Sequence, residues 1–310
     1  MIYDSRLAIG RSASGLCCGW LTILAILGAL PILATADTTI NAVNKYSWGA
    51  NVGWLNAQGN VTSGAVIGEY VCSGYIWGAN VGWINLGGGT PANGNQYQNN
   101  SVTDCGVNRD GLGNLRGYAY GANIGWINFE NTGAPKVDLT TGRLSGLVWS
   151  ANCGWISLSN AFAFVQTDTI APGADTDGDG IADAWEYSYT NTLTAFTASS
   201  DTDGDGFSDP NEYLADTNPN DANSRLVITA FSTPAGGTLP GVTWDSVLTR
   251  QYRLEKSLSL TAPSWWDSGL GLISPDGAST TRNFADTNAP MRFYRVQAVK
   301  PLAPVKPLAP

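Results

Sequence analysis

The chain has no histidine in 310 residues. That removes Ser-His-Asp triads, Cys-His dyads and histidine-ligated zinc from its possible chemistry. Basic residues are few, 16 against 25 aspartates and glutamates, and they form no stripe. This argues against nucleic acid as a partner. Past residue 33 there is no apolar run long enough to span a bilayer. No phosphate-binding loop is present either, because Leu86-Gly87-Gly88-Gly89 is followed by neither lysine nor a helical pattern. A glycosidase would need only two carboxyl groups. Glu69, Asp104, Asp110, Glu130 and Asp138 offer some, but none recurs at an equivalent place in the repeats described below. The chain therefore reads as non-catalytic, with a polysaccharide-acting enzyme the weakest alternative.

What the chain does have is a block of acid. Residues 175–221 hold 12 aspartates and glutamates and no lysine or arginine. The rest of the chain carries 13 acidic and 16 basic residues, so the acidity is local. Within the block, Asp175-Thr-Asp-Gly-Asp-Gly-Ile-Ala-Asp-Ala-Trp-Glu186 recurs 26 residues later as Asp201-Thr-Asp-Gly-Asp-Gly-Phe-Ser-Asp-Pro-Asn-Glu212. Each copy places oxygen ligands at positions 1, 3, 5, 9 and 12 of a twelve-residue calcium loop, with glycine at position 6. Asp175, Asp177 and Asp179 would each give one carboxylate oxygen and Ile181 its backbone carbonyl. Asp183 would act through a water and Glu186 would bind through both oxygens. Asp201, Asp203, Asp205, Phe207, Asp209 and Glu212 repeat these roles, so two calcium ions are expected. Gly180 and Gly206 fall where the loop turns too sharply for a Cβ. A solvated acidic linker would explain the charge, but not the paired glycines and glutamates.

No helix is expected ahead of the first loop, because Pro172-Gly173 breaks one. Helical pattern begins only at the exits, through 184–187 and 210–213, with Pro210 tolerated near a helix start. The segment resembles thrombospondin type 3 and dockerin-like calcium repeats of secreted bacterial proteins. Its ending, Glu212-Tyr-Leu-Ala-Asp-Thr-Asn-Pro219, is similar to the close of such repeats. The resemblance implies structural calcium outside the cell.

Residues 1–36 read as an export signal: Arg6 and Arg11, an apolar run over 16–33, then Ala34-Thr35-Ala36 as a cleavage site. An uncleaved anchor is the competing reading; Pro31 and the small residues after it favour cleavage, which leaves no stable membrane span. Secretion or display on the cell surface follows.

Residues 37–165 contain a fourfold repeat: Trp48-Gly-Ala-Asn-Val-Gly-Trp54, Trp77-Gly-Ala-Asn-Val-Gly-Trp83, Tyr120-Gly-Ala-Asn-Ile-Gly-Trp126 and Trp149-Ser-Ala-Asn-Cys-Gly-Trp155. The second tryptophan recurs at intervals of 29, 43 and 29 residues, as in stacked or radial repeat folds. Asn and Gly mark a turn and the flanks read as strands, so each motif is expected to be a hairpin within a three-stranded meander. The aromatics are expected to fill the core, since periodic apolar positions normally define the buried face. The alternative is that they stay open and bind an extracellular glycan or another surface protein. The pattern resembles Gly-Trp-Ile-Asn repeats of secreted bacterial proteins, which implies no activity. Cys153 takes the place of Val52, Val81 and Ile124 and should be a buried thiol. Cys72 and Cys105 lie off the motif and could form a bridge between repeats.

The calcium-binding segment, 166–223, leads into alternating strands over 224–300. Their order resembles a fibronectin type III sandwich. Trp265-Trp266 is either a ligand platform or packing over a sheet edge, the latter favoured. Residues 301–310 form a Pro-rich tail. The chain should thus be mainly β: a repeated β-meander domain, a short calcium-binding loop and helix segment, and a C-terminal β-sandwich.

Overall fold

The computed structural model describes residues 38–60, 62–232, 239–260, 265–285 and 293–303. The expected export signal at 1–36 and most of the Pro-rich tail lie outside the described residues. Each aromatic repeat folds as a hairpin. In the first, Ile40–Gly49 pairs with Gly53–Asn56, with Trp48 opposite Trp54 and Gly49 opposite Gly53. The Val52 N–H closes a turn on the Gly49 carbonyl at 3.2 Å. Gly53 follows at φ 76°, a left-handed angle that glycine adopts without strain. Cys72–Gly78 with Gly82–Gly88, Leu115–Gly121 with Gly125–Asn128, and Leu147–Ser150 with Gly154–Ser157 repeat the arrangement.

Neighbouring hairpins join in one recurring register. Asn56 faces Trp77, Asn85 faces Tyr120, Asn128 faces Trp149, and Ser157 faces Trp48. The last pairing returns to the first hairpin, so the eight strands close into an antiparallel barrel with pseudo-fourfold order. Closure leaves no open sheet edge around the ring. The asparagine of each turn binds the repeat before it. Asn80 donates to the Val52 carbonyl, Asn123 to Val81, Asn152 to Ile124 and Asn51 to Cys153, all at 3.0–3.1 Å. The expected third strand is present in two repeats, where Val66–Ile67 pairs with Cys72–Gly78 and Val107–Arg109 with Leu115–Gly121. In the fourth, Leu144–Ser145 pairs with Lys136–Val137 instead.

The core overturns one expectation: the repeat tryptophans do not fill it. They stand on the outer wall, from 38% exposed at Trp77 to 50% at Trp54. Side chains on a strand alternate between faces, so Leu55, one residue after Trp54, points inward. An eight-stranded barrel is only wide enough for side chains to fill. Here Val52, Val81, Ile124 and Cys153 form one layer, and Leu55, Ile84, Ile127 and Ile156 the next. Ala57, Leu86, Phe129 and Leu158 form a third. Cys153 is buried as expected, and its small volume accompanies Ser150, which replaces the glycine of the other turns. Cys72 and Cys105 are separate thiols. Cys72 sits inside the barrel core, where burial pushes its thiol up to about 12.

The C-terminal region is a β-sandwich of two three-stranded sheets. One contains Ile228–Ser232, Gly241–Asp245 and Ser279–Asn283; the other Trp266–Asp267, Gln251–Ser257 and Phe293–Val299. Val242 and Trp244 of one sheet share a core with Tyr252, Leu254 and Ala298 of the other. The Arg295 guanidinium lies 4.4 Å from the Trp265 ring centre and pairs with buried Glu255 at 2.7 Å. That ring therefore packs on the sheet edge. Among the described residues, barrel, acidic segment and sandwich belong to one compact unit. Among the described residues no helix is long and apolar enough to cross a membrane.

Candidate metal centre

Both acidic loops run directly into short helices, α1 over Asp183–Tyr189 and α2 over Asp209–Ala215. No helix leads into either loop among the described residues. Pro210 stands in the first turn of α2, where a missing N–H costs nothing. In the first loop, Asp175 accepts from the Gly178 N–H at 2.8 Å and the Gly180 N–H at 3.0 Å. Asp201 does the same with Gly204 and Gly206. These bonds curl the chain until Asp175, Asp177 and Asp179 bring carboxylate oxygens within 4.8 Å of one another, as do Asp201, Asp203 and Asp205. Gly180 has φ 94° and Gly206 φ 93°, and a Cβ at either would meet nothing within 4 Å. The requirement for glycine is therefore the backbone angle and not space, contrary to the expected clash.

The ninth positions brace the loops. Asp183 accepts from the Thr176 N–H at 2.7 Å and from its hydroxyl at 2.5 Å. Asp209 accepts from Thr202 in the same way and also from the Ser200 hydroxyl. Thr176, Thr202 and Ser200 were not singled out from sequence, although the repeated Asp-Thr-Asp held the signal for the threonines. Ile181 buries its side chain completely, and Phe207 is half-buried.

The twelfth positions carry the strongest electrostatic demand. Glu186 is 0% exposed and Glu212 1% exposed. Neither oxygen of Glu186 has a hydrogen-bond partner, nor do Glu212 Oε2, Asp179 Oδ2, Asp203 Oδ2 and Asp205 Oδ2, all of them buried. Buried carboxylates without partners are costly. When only protein charges act, burial and then Asp179, Asp177, Asp183 and Asp175 push the Glu186 carboxyl up to about 8. Burial and the neighbouring aspartates raise Glu212 to about 7, against a hydrogen bond from Thr217. A hard divalent cation reverses that balance, because it takes six to eight oxygens and supplies the missing charge. The donor set fits calcium: only oxygens, several of them unpaired, gathered from short loops.

Behind the loops lies a small aromatic core of Ile181, Ala182, Trp185, Phe196 and Tyr213. Trp185 contacts the rings of Tyr189, Phe196 and Tyr213 at 4.8, 5.3 and 5.6 Å between centres. Tyr213, one residue past Glu212, reaches out of this core. Its hydroxyl donates to buried Glu69 of the barrel at 2.8 Å. Lys300 of the sandwich pairs with Glu69 at 2.9 Å and stands 3.4 Å from the Tyr213 ring centre. Arg250, also of the sandwich, donates to the Tyr213 and Leu214 carbonyls at the end of α2. Burial raises the Glu69 pKa, but Lys300 and the Tyr213 hydrogen bond outweigh it and the carboxyl ends below the ordinary value. Sequence reading missed this junction because its members lie up to 231 residues apart.

Two loop-helix units, each with three aspartates converging and a buried glutamate that keeps at least one unpaired oxygen, define the class of this segment: tandem acidic loops of the metal-binding kind. The family model of the bacterial TSP3 repeat matches residues 175–192 and 201–222. That is the thrombospondin type 3 kind of repeat, whose role is structural calcium binding. No curated protein and no solved structure matches the chain.

Proposed function

We propose that the protein is a secreted or cell-surface structural protein in which two calcium ions hold the barrel, the acidic segment and the sandwich in one arrangement. The first ion would take Asp175, Asp177, Asp179, the Ile181 carbonyl and Glu186. The second would take Asp201, Asp203, Asp205, the Phe207 carbonyl and Glu212. Asp183 and Asp209 can still accept from a coordinated water, because a carboxylate has about four lone-pair sites. The observation that carries the reading is the burial of Glu186 and Glu212 with unpaired oxygens at the start of α1 and α2. Calcium at Glu212 would fix the first turn of α2, and Tyr213 on the same turn grips Glu69. Ion binding would thus order the contact between the flanking β regions. No catalytic step is part of this role.

Calorimetry on the full chain should find about two ions, with affinities near ~10⁻⁴ M as in extracellular modules. Limited proteolysis should cut within 172–224 only after chelation. No heat at millimolar calcium, or equal cutting with and without chelator, would remove the proposal.

A further inference from the structure

The outer wall of the barrel repeats one arrangement that the calcium reading leaves unused. Each aromatic pair lies beside a polar residue of the preceding hairpin: Asn56 opposite Trp77, Asn85 opposite Tyr120, Asn128 opposite Trp149. Each of these asparagines spends its Oδ1 locally. Asn56 accepts from the Gln58 N–H at 3.0 Å, Asn85 from Gly87 at 2.9 Å and Asn128 from Glu130 at 2.5 Å. That bond occupies one end of the amide and leaves its Nδ2 as the end free to donate. No protein acceptor for these three Nδ2 groups is found among the described residues.

The sites are not equally open. A Cβ on Gly59 would lie 2.7 Å from Trp77 and 3.1 Å from Trp83, so that loop lies against the second aromatic pair. Between the third and fourth hairpins the wall instead opens into a depression of about 230 Å³. It is lined by Trp149, Trp155, Asn128, Glu130, Thr132 and Gly133. Trp149 and Trp155 meet edge to face with centres 5.0 Å apart. Glu130 Oε1 is held by the Gly117 N–H at 2.8 Å. The depression thus combines apolar rings, an amide donor, a carboxylate acceptor and a hydroxyl.

We propose that this depression binds a pyranose unit of an uncharged glycan. A sugar ring offers C–H faces for the tryptophans and hydroxyls that both give and take hydrogen bonds. Charge excludes one class: the one charged lining group is a carboxylate, which repels polyanions, and its remaining lone pairs accept from the hydroxyls of a neutral ligand. The related asparagine of the second hairpin, Asn85 opposite Tyr120, gives a longer chain a further donor on the barrel wall, so oligosaccharides bind better than monosaccharides. This role goes beyond the calcium reading and does not depend on it.

The test is a tryptophan-fluorescence titration of the full chain in calcium with cellohexaose, mannohexaose and chitohexaose. Dextran sulfate and phosphatidylcholine vesicles serve as anionic and membrane probes. The expected result is saturable binding of at least one neutral hexasaccharide, with neither other probe binding. Asn128→Asp keeps the local turn acceptor but loses the donor, and should weaken binding roughly tenfold. Trp155→Ala should abolish binding while the melting curve keeps its cooperative shape. Absence of binding by all three sugars at millimolar concentration overturns the proposal. So does binding that both variants leave intact, or vesicle binding or self-association through the same aromatics in place of sugar binding.

Discussion

The barrel and the acidic segment invert the usual distribution of residues in opposite ways. In the barrel, the largest apolar rings face water while Val, Leu and Ile fill the inside. In the acidic segment, the charged glutamates are the buried groups and lie against a small aromatic core. Hydrophobicity rank alone predicts neither. The inside of a closed eight-stranded ring is a narrow space of fixed size, and residue volume decides who enters. The inside of each twelve-residue loop gathers carboxylate oxygens as a calcium loop does, and there oxygen count decides.

The sharpest way to break the comparison is to remove an inward residue of the barrel. Ile127→Ala empties one quarter of a four-residue layer in a fully buried ring. Urea unfolding should show a loss of ~2–5 kcal/mol, the range for large-to-small core changes. A loss well under 1 kcal/mol would mean that the barrel interior is not where its stability lies.

Ion removal comes next. At free calcium 100 times the dissociation constant, each site adds ~2.7 kcal/mol to the ordered state of its loop. Glu186→Gln and Glu212→Gln should each delete one site in calorimetry. Hydrogen exchange after chelation should rise over 175–215 and stay unchanged in the hairpins, because the barrel has its own core. Loss of protection across the barrel would show that the two regions do not have separate interiors.

Much of the acidic segment was legible because its chemistry is local. Twelve consecutive residues carry the expected donor set of each loop, and the glycine at position 6 takes the left-handed backbone angle that the turn there requires. The hairpins were legible for the same reason, since Asn-Val-Gly encodes its own turn. The tryptophan faces were not. Strand alternation says that Trp54 and Leu55 point opposite ways, but it does not say which way is in. Ring closure decides that, through pairings such as Ser157 with Trp48, 109 residues apart. The asparagine bonds between repeats, such as Asn80 to Val52, likewise exist only once the ring is closed.

The junction gives a smaller effect. Tyr213→Phe removes the hydroxyl that Glu69 accepts while leaving Lys300 in place. A hydrogen bond to a charged group contributes ~1.5 kcal/mol or somewhat more, so chemical denaturation should show a loss of that size. Acid should act through the same carboxyl. The folded pKa of Glu69 lies below its ordinary value of 4.5. Its contribution is therefore present above pH 4.5 and is lost as pH falls through the folded value. The difference between wild type and Glu69→Gln should shrink over that acidic window; a difference that grows there would reverse the sign of the pair.

The smallest change is expected where sequence periodicity pointed to the largest. Trp126 is 43% exposed and meets Tyr120 at 4.9 Å and Tyr118 at 6.3 Å between ring centres. Replacing it with alanine leaves no cavity inside the barrel, because its ring is on the outer wall. What is lost is a set of cross-strand aromatic contacts, each contributing ~0.2–1 kcal/mol. Trp126→Ala should therefore cost ~1 kcal/mol in urea unfolding, far less than Ile127→Ala one residue along the same strand. Measuring the two variants side by side tests which face of the strand is the core. If Trp126→Ala costs as much as Ile127→Ala, the aromatics are structural after all, and the outward wall loses its claim to be a surface kept open for a ligand.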